Sequence, residues 1–404
     1  MLSGPKASLT RRTVPALAGL VYDAGMHDFD AFHRSILPGR CVTELGKAAA
    51  RDVAGVPPVA FRLSDGRAYR VAEVAGTIAV TAGDDAPIVV ELDPSAWADF
   101  VSERATAAGL RHGGRISFVH GTPADLERWE PALRALYNDR RLLDPRRMRL
   151  DLDLARRFTL DDPPAELGGF LDDAGFLHVR GVFSREEIAR LGTLVEHERL
   201  AASPDDGTSW WARRGDGTQV CCRLIYLGLR VPEIARLGDD PRLRTLAALA
   251  SEPLRAALDR ADGQSAVLKH ADVVDGLSDL PWHRDCGLGG HPITCPTLNA
   301  GIQLDAATAA SGRLLFVPGS HRGSLHRADV ERGDVPIVAI DTEPGDVTLH
   351  FGDVLHAAPP PTSSDTARRA LYVTFMPERA FETIPKGHGY NDIIRPHQAG
   401  RPTE

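Results

Sequence analysis

Short apolar runs broken by turn residues set the rhythm of the first 145 positions. Val59-Ala60-Phe61-Arg62-Leu63 runs into Ser64-Asp65-Gly66, Tyr69-Arg70-Val71 follows, and Thr77-Ile78-Ala79-Val80 ends at Gly83-Asp84, which together predict a β-meander. After a further run, Ile88-Val89-Val90-Glu91-Leu92, the stretch Asp93-Pro94-Ser95-Ala96-Trp97 offers a cap candidate and a proline suited to a first helical turn. Another strand is expected at Arg115-Ile116-Ser117-Phe118-Val119. Beyond Pro123, the positions Leu126, Trp129, Leu133, Leu136 and Tyr137 recur near the helical period and predict an amphipathic helix. No cluster of chemically active side chains stands out in this half.

The stretch from Asn138 to Arg147 is charged and turn-rich, and it reads as a linker. A second pattern starts beyond it. The run from Ala174 to Phe183 reads as a strand, and Ser184-Arg185-Glu186-Glu187 has the form of a capping box ahead of Ile188, Leu191, Leu194 and Val195. The expected organisation is therefore an α+β domain over residues 1–145 and a mainly β domain with helices over residues 150–404.

Composition narrows the function classes. Of 404 residues, 47 are Lys or Arg and 55 are Asp or Glu, a formal charge of −8 that gives no reason to expect nucleic acid binding. No run approaches the roughly 18 apolar residues of a membrane helix, and MLSGPKASLTRRTV lacks the apolar segment of a signal peptide. A soluble, cytoplasmic protein without an integral membrane segment is expected. Cys41, Cys221, Cys222, Cys286 and Cys295 form no C-x-x-C pair, which fits free thiols in a reducing compartment. The pairs Arg156-Arg157 and Arg213-Arg214 can meet a phosphate-bearing substrate, although such pairs are more often solvated surface. Nothing in the sequence sets the oligomeric state.

Two H-x-[DE] triplets occur, His270-Ala271-Asp272 and His283-Arg284-Asp285. With 15 His and an acidic fraction of 55/404, about two arise by chance, so the triplet alone carries little. In a strand, residues i and i+2 share a face, so an imidazole and a carboxylate at this spacing can reach one metal ion. A third ligand from a distant strand would complete a facial triad with open positions for an oxidant and a cosubstrate. The stretch from Gly345 to His356 supplies two candidates, His350 and His356, and Arg368 on a following strand supplies a cation able to hold a dicarboxylate. We take His356 with Arg368, and read His350 as a hydrogen-bonded interior neighbour and His321 as a turn residue.

In order along the chain, PWHRD, GRLLFVPGSHRGS, GDVTLHFGDVLH and RRALYVTF resemble the phytanoyl-CoA dioxygenase family over roughly residues 165–380. The resemblance implies a double-stranded β-helix, a jelly-roll, cupin-like barrel with helical cover. It further implies that His283, Asp285 and His356 bind Fe(II), that Arg368 pairs with the distal carboxylate of 2-oxoglutarate, and that Lys269 lies near that cosubstrate. With O2, such an enzyme oxidatively decarboxylates 2-oxoglutarate and oxidises, most often hydroxylates, an unactivated carbon of a small molecule. Two departures are visible: Ala358 stands where the family often has a hydroxyl, and Gly301 where it has an aromatic near the cosubstrate. Residues 35–140 resemble a sterol-carrier (SCP2-like) domain, which implies an apolar cavity and a lipid-like or carrier-bound substrate.

Other readings stay open. Trp282 is either substrate-facing or core, Trp210, Trp211 and Tyr226 fall where the family forms its entrance, and the loop from Cys286 to Pro292 has the glycines of a lid. The His-Arg-Asp triplet also occurs in protein kinases, but no Asp-Phe-Gly follows it and no glycine-rich nucleotide loop precedes it, which excludes a kinase. A non-catalytic cupin-like binder of a small molecule or metal is the alternative from another class. Desaturation, epoxidation and cyclisation use the same residues as hydroxylation.

Overall fold

The computed structural model describes residues 28–392 apart from 149, 262, 277–278, 287–296, 364–367, 384–386 and 388–390. The N-terminal sheet contains β1 (Val59–Leu63), β2 (Ala68–Val74), β3 (Thr77–Ala82), β4 (Ile88–Leu92) and β5 (Ile116–His120) in the order β3-β2-β1-β4-β5. The first three strands form the expected meander. β4, however, crosses over to lie parallel to β1 in the sheet interior. Its burial explains the position: Ile88, Val89, Val90 and Leu92 are all buried, a largely apolar run that needs cover on both faces, whereas β3 at the sheet edge keeps five of six residues partly or fully open.

Helices complete this half as their end signals predict. Asp93 accepts from the amides of Ser95 and Ala96 to start the helix Pro94–Val101. Thr122 and Asp125 form a capping box at the head of Pro123–Asn138, whose Leu126, Trp129, Leu133, Leu136 and Tyr137 are all buried. Phe32, Trp97 and Tyr137 meet edge to face at centroid distances of 5.2 to 5.8 Å, so aromatic rings fill the middle of this core.

The remaining strands are β6 (Phe176–Val179), β7 (Ser209–Arg214), β8 (Gln219–Leu224), β9 (Leu254–Ala256), β10 (Gln264–Lys269), β11 (Val273–Asp275), β12 (Leu280–His283), β13 (Leu298–Gln303), β14 (Leu314–Phe316), β15 (Val338–Ile340), β16 (Val347–Phe351), β17 (His356–Ala358) and β18 (Arg368–Pro377). They make two antiparallel sheets, a large one ordered β11-β7-β8-β10-β18-β13-β16-β6 with β9 beside β18, and a small one ordered β12-β17-β14-β15. Phe316 of the small sheet stacks on Phe176 of the large sheet at 4.7 Å and lies 5.5 Å from the His350 ring, so the sheets face each other. The fold is mixed α/β with antiparallel sheets.

The two halves have separate apolar cores, one drawn from residues 29–137 and the other from 158–375. The stretch expected as a linker is tied down rather than free: Leu143 donates to the Ser324 carbonyl at 2.9 Å and Ser324 donates to that of Arg141 at 2.8 Å. His326 meets Asp52 across the same seam at 2.9 Å. No helix among the described residues is long and apolar enough to cross a membrane.

Candidate active site

β12 and β17 are neighbours in the small sheet, and His283 and His356 are direct cross-strand partners. Their rings lie 4.2 Å apart. Asp285 falls two residues past the end of β12, in a bend fixed by the Asp285 and Cys286 amides donating to the Gly352 carbonyl at 2.8 and 3.1 Å. Strand alternation is thus not what aims its carboxylate. The bend does so, and Asp285 Oδ1 lies 3.3 Å from His283 Nε2 and 3.7 Å from His356 Nε2.

These three side chains offer ligand atoms that all lie within 4.8 Å of one another. Adjacent donors about 2.1 Å from a common ion would be roughly 3 Å apart, so the trio needs only a small contraction to hold one. The imidazole orientation fits as well. Nδ1 of His283 donates to the Pro281 carbonyl at 2.7 Å and Nδ1 of His356 to that of Val354 at 3.1 Å, which leaves each Nε2 lone pair facing the cluster.

A row of polar residues on three adjacent strands supports the carboxylate. His350, Asn299 and Thr374 are register partners on β16, β13 and β18. His350 Nε2 donates to Asp285 Oδ2 at 3.1 Å, Asn299 Nδ2 donates to the same oxygen at 2.5 Å, and the Thr374 hydroxyl donates to Asn299 Oδ1 at 2.7 Å. Burial works against charge on Asp285, but the surrounding His356, His283 and His350 outweigh it and hold the carboxyl well below its usual range. Burial, reinforced by the neighbouring His283, pushes His356 well below the usual imidazole range, so it stays neutral. Neutral imidazole and ionised carboxylate are the metal-binding forms. His350 therefore positions Asp285, the role expected of it. Asn299 and Thr374 carried no signal in the sequence, because only the strand register makes them neighbours.

The expected cations meet at one end of the large sheet. Lys269 and Arg368 are cross-strand partners, each at most 3% exposed. Lys269 Nζ donates to the carbonyls of Ala358 and Pro359, while Arg368 donates to the Gly312 carbonyl at 2.7 Å and to Gln303 Oε1 at 3.3 Å. Burial, with Arg368 alongside, lowers Lys269 to about 7. Burial also lowers Arg368, opposed by the field of Tyr372 and its hydrogen bond, and the buried Arg368 Nε has no partner. Among the described residues no carboxylate pairs with either cation, and two buried cations so placed are costly unless an anion joins them.

The departure at Gly301 has a structural counterpart. Tyr372 is its register partner on β18, and a Cβ at Gly301 would sit 2.9 Å from the tyrosine Cε1. The ring comes from the neighbouring strand and requires a glycine beneath it. At Ala358 the side chain is not replaced, but its carbonyl holds Lys269.

Other candidates fall elsewhere. Arg369 pairs with Asp305, His321 sits in the turn Ser320–Arg322, and His270 Nε2 donates to the Cys221 carbonyl. Trp282 packs toward Val317 and Leu355, which is the core alternative. Arg156 pairs with Glu166 and Arg213 with Asp275, so one arginine of each pair is committed to a carboxylate. Burial pushes the thiols of Cys221 and Cys222 up to about 12, as inert cysteines require. Cys295 and the lid candidate Gly287–Pro292 lie outside the described residues.

Two facing imidazoles, a braced carboxylate and a nearby pair of buried cations define a site able to take a divalent metal and an anion. The family model of phytanoyl-CoA dioxygenase (PhyH) matches residues 171–370. A curated relative, a probable alpha-ketoglutarate-dependent hypophosphite dioxygenase from Stutzerimonas stutzeri, is 24% identical over 255 residues, 57% of this chain and 84% of the relative. Among solved structures, AviO1 from Streptomyces viridochromogenes Tue57 is 26% identical with a TM-score of 0.44, covering 54% of this chain and 96% of that one. The non-heme alpha ketoglutarate dependent epimerase SnoN from nogalamycin biosynthesis is 25% identical with a TM-score of 0.41, covering 53% and 82%.

Proposed function

We propose that this protein is an Fe(II)- and 2-oxoglutarate-dependent oxygenase that hydroxylates an unactivated carbon of a small molecule. The observation that carries the reading is the convergence of His283 Nε2, Asp285 Oδ1 and His356 Nε2 with every other donor or acceptor of those groups turned away. Three protein ligands leave positions for a keto acid and O2. When bound, iron and cosubstrate would supply the oxidising chemistry, with 2-oxoglutarate leaving as succinate and CO2. The chain's own contribution is placement. Backbone carbonyls fix the two imidazoles, His350 and Asn299 fix the carboxylate, and Arg368 with Lys269 receives the distal carboxylate of the cosubstrate.

In this reading the two facing sheets form a double-stranded β-helix over residues 150–404, and residues 1–145 form a separate α+β domain. The cavity at the triad is lined by Ser265, Thr297, Asn299, Thr374 and Asn391 as well as Leu280 and Leu314. Its polar side chains can hydrogen-bond a small substrate, while Leu280, Leu314, Tyr372 and Met376 give it apolar walls.

The test is direct. Without oxygen, Fe(II) and 2-oxoglutarate added to the protein are expected to give the visible charge-transfer band of a chelated keto acid. His356→Ala should lose the band and Arg368→Ala should weaken it. With oxygen, slow decarboxylation of 2-oxoglutarate without substrate distinguishes an oxygenase from a non-catalytic cupin-like binder. No band in the wild type would overturn the proposal.

A further inference from the structure

Arg223 lies on β8 and lines the same cavity as His283, Asp285 and His356. Its register partner on β10 is Val267, two residues from Lys269, so its guanidinium is displaced from the proposed cosubstrate end toward the β8 edge of the floor. The face of the guanidinium stands 5.1 Å from the centre of the Trp210 ring, and Nη1 donates to the Asn391 amide oxygen at 2.8 Å. Nε is buried without a partner. Among the described residues no carboxylate pairs with Arg223.

The charge balance of the cavity is lopsided. Among the described residues Asp285 is the only acidic one lining it, and both of its oxygens are committed to the imidazole cluster and Asn299. A guanidinium held against an indole, with a neutral amide as its one hydrogen-bond acceptor among the described residues, keeps part of its planar fork for an oxyanion. Leaving it unmatched in a half-buried cavity is unfavourable, and an incoming anion would relieve that cost.

We infer that Arg223 is a specificity-determining residue, and that the substrate carries a carboxylate or phosphate-type oxyanion which Arg223 binds while the carbon to be oxidised faces the triad. The inference rests on the oxygenase reading for the chemistry that follows binding. Asn391, which also lines the cavity, occupies part of the fork, and the adjacent Asp392 accepts from the Tyr226 hydroxyl at 2.6 Å.

The experiment uses the full chain with Fe(II) and saturating 2-oxoglutarate in the absence of oxygen. Acetate, methylphosphonate and neutral acetamide are titrated separately, and saturation transfer to each probe methyl is followed by NMR. The two anions distinguish a carboxylate from a phosphorus oxyanion as the preferred group. Saturable binding of at least one anion, none of acetamide, and a loss of tenfold or more in Arg223→Met are expected, with the 2-oxoglutarate charge-transfer band titrating as in the wild type. Asn391→Asp tests the same point without removing the arginine, since its carboxylate would fill the fork and weaken the anion tenfold or more. Equal binding of acetamide, or anion affinity unchanged in both variants, overturns the inference. So does a loss of 2-oxoglutarate affinity in Arg223→Met, which would make Arg223 part of the cosubstrate site. Absence of the band in the wild type refutes the oxygenase reading instead, and the anion titration still decides the role of Arg223.

Discussion

Replacing Asn299 with alanine isolates the support of the metal-binding carboxylate from the ligands themselves. Asn299 Nδ2 is one of two side-chain donors to Asp285 Oδ2, the other being His350 Nε2. A hydrogen bond to a charged acceptor contributes about 1.5–3 kcal/mol, and loss of a group that orients a metal ligand typically costs about 10- to 100-fold in affinity, which is the same range. The Asp285 side chain keeps 26% of its exposure, so water replaces part of the lost bond and the lower end, about tenfold, is expected. Isothermal titration with Fe(II) under anaerobic conditions measures it, with far-ultraviolet circular dichroism as the check that the fold persists. An Fe(II) dissociation constant within twofold of wild type in a folded Asn299→Ala protein would refute the claim that this amide braces the ligand.

Further outcomes follow from the same geometry. Asp285→Ala should abolish turnover while leaving the fold intact, and retained 2-oxoglutarate decarboxylation would remove Asp285 from the metal site. Lys269 titrates near 7 in the free protein, so it is charged below that pH and neutral above it; anion binding favours the charged form, and the 2-oxoglutarate dissociation constant should rise severalfold from pH 6 to pH 8. A flat profile, or one unchanged in Lys269→Met, would separate the lysine from the cosubstrate. Gly312→Ala places a Cβ 2.2 Å from the Pro359 carbonyl at a residue with φ of +75°, beside the carbonyl that holds Arg368, and should weaken 2-oxoglutarate tenfold or more and lower the melting temperature. Deleting residues 1–145 removes the Arg141, Leu143 and Asp52 contacts to the segment Ser324–His326. Arg284, between the two ligands of the triplet, donates to the adjoining Ser320 and Gly323 carbonyls. The truncated chain should therefore bind Fe(II) several times more weakly, and unchanged binding would show the two halves to be independent.

The N-terminal strands, the capped helices at Asp93, Thr122 and Ser184, and the amphipathic set from Leu126 to Tyr137 were legible because each rests on local periodicity and on hydrogen bonds between residues at most three apart. The donors His283, Asp285 and His356 and the cations Lys269 and Arg368 were legible as residue types at telling spacings in a familiar order. Their convergence was not: His283 and His356 meet because β12 and β17 pair, and Asp285 reaches them through a bend set by the Gly352 carbonyl. The central place of β4, the Asn299–Thr374 brace, the Tyr372 ring over Gly301 and the place of Arg223 beside the triad depend on which strands lie side by side. Sequence by itself determined the elements and the chemical inventory, since short-range sterics and side-chain chemistry are written residue by residue. Tertiary structure alone decided the neighbours, because strand order and register bring together residues far apart in the chain, such as Asn299 and Thr374, 75 positions apart, whose attraction exists only once the sheets have formed.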